Sequence, residues 1–126
     1  MSAEPYELFQ DGMVLLEAGK PAAAARVLGV AKDQEPLKAS IREALGRAYY
    51  NSGKFELAAR QFKKTLALEP TNDFAHFGTA LSLDRIGRPE RAMGHIKMAL
   101  AMKPGNSAYQ QLTLRIEIRL IGTENG

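Results

Sequence analysis

The two histidines, His76 and His95, are the side chains of this 126-residue sequence best suited to move a proton or ligate a metal near neutral pH. Either chemistry needs partners: a converging acid, base or nucleophile, or further ligands at metal-binding spacing. Cysteine is absent, which removes disulfides, thiol nucleophiles and Cys-based zinc sites together. The histidines are widely separated along the chain and read as having different structural roles, His76 near a helix interface and His95 on a solvated helix face beside the core-directed Ile96. The glycines are absorbed by turns and close helix contacts, so no Gly-rich loop is left to cradle a phosphate. The expectation is a protein without catalytic residues, metal or cofactor.

The other chemistry on offer is charge. The net charge is +3, with the surplus in a block holding Arg60, Lys63 and Lys64 and continued by Arg88, Arg91 and Lys97. Nucleic-acid binding by a basic convex face is therefore one reading, ranked below protein binding because no groove-reading motif accompanies the charge. With 45% hydrophobic and 25% charged residues, the composition is that of an ordinary soluble globular protein. No apolar run reaches the length of a membrane span, and residues 1–7 lack the basic and apolar stretches of a signal peptide. By elimination, the expectation is a cytoplasmic protein without a membrane partner.

The elements that carry these residues repeat. Pro36, Pro70 and Pro104 lie 34 residues apart, as do Gly19, Gly53 and Gly87, Ala24, Ala58 and Ala92, and the bulky Leu28, Phe62 and Ile96. The glycines end a first helix in a left-handed conformation. Pro21 and Pro89 stand where a second helix begins, and Pro36, Pro70 and Pro104 stop that helix. Gly12, Gly46 and Ala80 are expected to face Ala24, Ala58 and Ala92, letting the paired backbones approach closely. Helices are predicted over 5–18, 21–34, 38–52, 55–68, 73–86 and 89–102.

The segment Leu45-Gly46-x-x-Tyr49…Gly53…Ala58-x-x-x-Phe62…Pro70 resembles the tetratricopeptide (TPR) signature, and the match extends over residues 5–106. It departs from the family in having Leu8, Arg42 and His76 where tryptophan is common, and Asp11 in place of a leucine. The resemblance implies an all-α, right-handed α-α superhelix: a TPR solenoid forming a single domain, 1–126, of repeats 5–38, 39–72 and 73–106, a C-terminal capping helix near 106–121 and a flexible tail, 122–126. It also implies a protein-interaction scaffold or adaptor that binds a peptide or helix in a concave groove lined by first helices. A small client-specific chaperone is the alternative. The groove residues it implies are Tyr6, Phe9, Met13, Leu16 and Glu17 from the first unit. The second supplies Ser40, Glu43, Arg47, Tyr50 and Asn51, and the third Phe74, Phe77, Leu81, Asp84 and Arg85. Some family members grip a chaperone's C-terminal carboxylate with Lys, Asn and Arg; here those positions hold Phe9, Met13, Ala44, Phe74 and Gly78, which argues against that mode.

The segment Leu112–Leu120 alternates apolar and polar residues, a strand pattern when read locally. The need to cover the last repeat argues for a helix with Tyr109, Leu112, Ile116 and Leu120 on its buried side. Its opposite side would carry Leu114, Ile118 and Ile121. A second copy of the chain, forming a homodimer, is the expected cover for that stripe, against the plainer readings of a tolerated apolar surface or a truncated chain.

Overall fold

Proline at the first helical position, glycine after the last and a second proline beyond divide the chain into short helices that must bury their apolar faces against one another. The computed structural model describes residues 3–125, with side chains described as far as Gly122. It contains α1 (Pro5–Glu17), α2 (Pro21–Gln34), α3 (Ala39–Asn51), α4 (Phe55–Leu68), α5 (Asp73–Arg85), α6 (Pro89–Met102) and α7 (Ser107–Asn125), and no strand among the described residues. Each helix packs on the next, and α1 with α3, α3 with α5, and α5 with α7 also touch, which is the neighbour pattern of a solenoid.

The punctuation does what its chemistry requires. Gly19, Gly53 and Gly87 have φ of 74°, 80° and 78°, and no atom lies where a Cβ would stand; glycine is needed there for conformation, not space. Glu35, Glu69 and Lys103, each preceding a proline, turn to φ near −133° to −135° and end the second helices. The freed proline carbonyls are then satisfied by a column of side chains one repeat apart. Arg42 Nε donates to Pro36 O at 2.9 Å, His76 Nε2 lies 3.0 Å from Pro70 O, and Gln110 Nε2 donates to Pro104 O at 2.8 Å. Arg42 and His76, at two of the three positions where the family commonly has tryptophan, thus hydrogen-bond the preceding turn.

Ala24, Ala58 and Ala92 are fully buried, as expected. The close approach at the glycines, however, is made by the side chains one turn further on. A Cβ at Gly12 would stand 2.5 Å from Leu28, and one at Gly46 would stand 2.9 Å from Phe62.

The histidines are not separate, which corrects the sequence reading. His76 Nδ1 and His95 Nδ1 are 3.1 Å apart, with ring centroids at 5.4 Å. His76 is buried and His95 half-buried rather than solvated. The equivalent pair one repeat earlier is Arg42 and Gln61, joined at 3.0 Å, so this is a repeated link between the two helices of a unit. Because the Pro70 carbonyl can only accept, His76 carries its proton on Nε2 and offers a lone pair at Nδ1, to which His95 Nδ1–H donates. Burial, His76 and the Lys63 ammonium together hold the His95 pKa below its ordinary value of 6.5.

The terminal segment is helical. Tyr109, Leu112 and Ile116 are 4%, 3% and 0% exposed and complete a core with Leu83, Ile96 and Ala99. The covered face decides over the local β-pattern. The segment expected as a flexible tail, 122–126, is helical as far as Asn125, and residues 1, 2 and 126 lie outside the described residues. Asp84, expected in the groove, is instead fully buried under α7, where Arg115 Nε and Arg119 Nε reach its carboxylate at 3.3 Å and 2.9 Å. Removing both arginines would leave a buried carboxylate uncompensated, a loss of roughly 3–5 kcal/mol.

A Cβ at Gly78 would stand 2.6 Å from the Phe62 ring, whereas at Gly94, within α6, it would meet nothing. Gly78→Ala should therefore destabilise by about 1–3 kcal/mol in urea denaturation, and Gly94→Ala should stabilise by up to about 1 kcal/mol. For the histidines, the folded chain takes up its proton at lower pH than an unfolded histidine, which titrates near 6.5. The stability contributed above pH 6.5 should accordingly decline as pH falls through the lower folded value. His95→Gln, which restores the glutamine of the preceding repeat, should flatten that decline in thermal melts; an unchanged decline would show that the pair does not cause it.

Candidate functional site

The repeat sets α3 beside α5, and the residues on their shared face follow from helical spacing. Arg47, Tyr50 and Asn51 on α3 and Phe74, Phe77 and Leu81 on α5, at i, i+3 and i+7, line one cleft of about 280 Å³. Its base is the Phe62 ring from α4, 2% exposed, which reaches into the space that Gly46 and Gly78 leave open. From Phe62 a series of aromatic rings crosses the third repeat. Phe62 and Phe74 meet edge-on at 6.2 Å, Phe74 and Phe77 lie 6.2 Å apart, and Phe77 packs on Tyr109 at 4.8 Å.

Polar groups around this apolar floor divide into committed and free. Tyr109 donates its hydroxyl to Asp73 Oδ2 at 2.6 Å, and burial with the neighbouring Asp73 carboxylate pushes its pKa far above the usual phenol range, so it remains a donor. Glu43 Oε1 accepts from Asn72 Nδ2 at 2.9 Å, tying α3 to the start of α5. Arg85 lays its guanidinium 4.5 Å over the Phe55 ring, and Tyr50 meets the same ring at 5.1 Å. Arg47 and Asn51 form no side-chain hydrogen bond or ion pair among the described residues. The cleft thus presents exposed aromatic surface beside one unpaired cation and one unpaired amide.

Six of the residues inferred for the groove, Arg47, Tyr50, Asn51, Phe74, Phe77 and Leu81, are brought together here. Glu43 and Arg85 flank them, committed to Asn72 and Phe55. The first unit contributes differently. Phe9 and Met13 are half-buried against the cluster that holds Leu16, Leu28 and Leu45, and Leu16 itself is buried. Tyr6 is 69% exposed and its hydroxyl accepts from Gln10 Nε2. Asp84 belongs to the α7 interface. Leu114, Ile118 and Ile121 are 60%, 68% and 56% exposed along one side of α7.

In the sequence Phe62 stands out only as a bulky member of the repeat, and Gly78 only as a position lacking a carboxylate-gripping side chain. The signal for their joint role was a glycine in mid-helix, in the same column as Ala44. Tyr109 was assigned to the cap alone, and Phe55 was not singled out. More open depressions of about 360 Å³ and 420 Å³ border the turn around Leu37 and Lys38, but no aromatic side chain lines them.

Comparison with known proteins gives the same architecture. The chain is 28% identical over 101 residues to mouse (Mus musculus) superkiller complex protein 3, an alignment covering 80% of this chain and 6% of the relative. It spans 6% and 24% of the length of two curated relatives that it matches. The first TPR of Spaghetti (RPAP3), bound to the HSP90 peptide SRMEEVD, superposes with a TM-score of 0.89 at 19% identity, covering 94% of each chain. The Yersinia enterocolitica type III secretion chaperone SycD, in complex with a peptide of the translocator YopD, superposes with a TM-score of 0.78 at 15% identity, covering 96% of this chain and 94% of that one. The sequence model of the tetratricopeptide repeat matches residues 9–72 and 43–107, and the chain belongs to that family.

Proposed function

We propose that this protein is a protein-interaction module whose α3–α5 cleft holds an extended peptide segment of a partner. The observation that carries this reading is the cleft itself: a Phe62 floor, an exposed Phe74 edge, and Arg47 and Asn51 without internal partners on one wall. An apolar recess of about 280 Å³ takes one or two bulky side chains, which supply affinity by leaving water. Arg47 and Asn51 stand one helical turn apart, about 6 Å along α3, close to the spacing of alternate residues in an extended chain. Asn51 offers a donor and an acceptor to a peptide unit, and Arg47 a forked donor to a carbonyl or carboxylate.

The RPAP3 structure holds an acidic peptide, SRMEEVD. The apolar and small residues at the gripping positions here favour a different ligand, one read by an apolar side chain rather than by its terminal carboxylate. SycD, a secretion chaperone of similar fold, holds a peptide of the translocator YopD; for this chain, a single stoichiometric partner would mark a dedicated chaperone, and several partners an adaptor.

Selection of peptides from a displayed library tests the cleft. Bound sequences should share a bulky apolar residue. Phe74→Ala and Asn51→Ala, both at exposed positions, should each weaken binding about tenfold or more while leaving the circular dichroism unchanged. Phe77 is half-buried against the core and is the poorer probe, because its truncation also threatens the fold. Peptides that bind both variants as tightly as the wild type would place the interaction elsewhere.

A further inference from the structure

A second cleft, sharing no residue with the first, lies where α4, the α5–α6 turn and the start of α6 meet. It encloses about 290 Å³. Arg60 and Lys63 reach it from α4, Arg88 from the turn and Arg91 from α6. All four are exposed, and none forms an ion pair among the described residues. Glu56 is the one carboxylate in the lining, and Leu83 and Ile86 supply apolar surface. The chain therefore gathers four cations around a single recess without neutralising them internally, an arrangement that repels itself until an anion enters. Their field reaches neighbouring groups, since the Lys63 ammonium is among the causes that hold down the pKa of His95, one turn beyond Arg91.

We infer that this cleft binds a phosphate monoester carried on an apolar or aromatic body. Three guanidinium groups favour a tetrahedral oxyanion, because each presents a planar fork of donors that a lysine lacks. The apolar residues beside them favour an ester over inorganic phosphate, as the organic portion then finds a surface to cover. The charge is gathered at one recess near the lower size limit of small-molecule sites, about 300 Å³. A nucleic-acid backbone would instead call for cations spread along a track. Lys64 and Lys97 are exposed but lie outside this lining. The free ester and the phosphorylated side chain of a protein share this chemistry.

Calorimetric titration of the full chain at about 0.15 M salt tests the assignment, with inorganic phosphate, phenyl phosphate, a peptide carrying one phosphotyrosine, its unphosphorylated form and a single-stranded RNA as probes. Phenyl phosphate should bind one to one and more tightly than inorganic phosphate. Arg60→Ala combined with Arg91→Ala should weaken it about tenfold or more, whereas Lys97→Ala combined with Lys103→Ala should not. A phosphopeptide that binds more tightly than phenyl phosphate, with no binding of its unphosphorylated form, identifies a modified protein as the source; equal affinities identify the free ester. Absence of saturable binding by phenyl phosphate overturns the proposal. So does RNA as the sole ligand, weakened equally by the two variant pairs, which would mean a diffuse basic surface.

Discussion

The Phe62 ring, lodged where Gly46 and Gly78 carry no side chains, is the contact on which the rest of the arrangement depends. It joins the second and third repeats, because its own helix pairs with α3 while its ring reaches α5. It also floors the cleft that Phe74 and Arg47 border. A methyl group at either glycine would displace the ring, so packing and groove shape are set by one steric condition. Burial of such a side chain stabilises by roughly 1.5–3 kcal/mol, and here the same atoms supply the apolar base for a ligand.

The cap completes the groove as well as the core. Tyr109 packs on Phe77 and hydrogen-bonds Asp73, while Arg115 and Arg119 fix α7 over the buried Asp84. Both kinds of contact bind α7 to the helix that carries Phe74, Phe77 and Leu81. Loosening the cap should be felt at the cleft, since the series of rings runs from Tyr109 to Phe62 without interruption. The apolar side of α7 is held by α6 as well, in the core that Leu112 and Ile116 share with Ile96 and Ala99.

Much of this was legible in the chain. The Pro and Gly columns set helix ends to within a residue or two, because φ restriction at proline and left-handed freedom at glycine act locally. The six cleft residues on α3 and α5 were among those that the resemblance to the family implies for first helices. What escaped depends on contacts between distant segments. His76 and His95 are paired by the register of two antiparallel helices, and the clue was their alignment with Arg42 and Gln61 one repeat earlier. Asp84 looked like a groove residue until α7 brought two arginines over it. Phe9 and Met13, inferred for the groove from their place on a first helix, are partly buried against the core that holds Leu28 and Leu45, a contact that position alone does not show.

The proposed place for a partner is one recess between the second and third repeats, built on Phe62. Backbone-amide chemical-shift mapping of the labelled chain with a selected peptide tests it most directly. The largest shifts should cluster at Arg47, Tyr50, Asn51, Phe74, Phe77, Gly78 and Leu81, with smaller ones passed to Tyr109. Shifts confined to the exposed side of α7 around Leu114 and Ile118, or to the Arg60–Arg91 cleft, would contradict it.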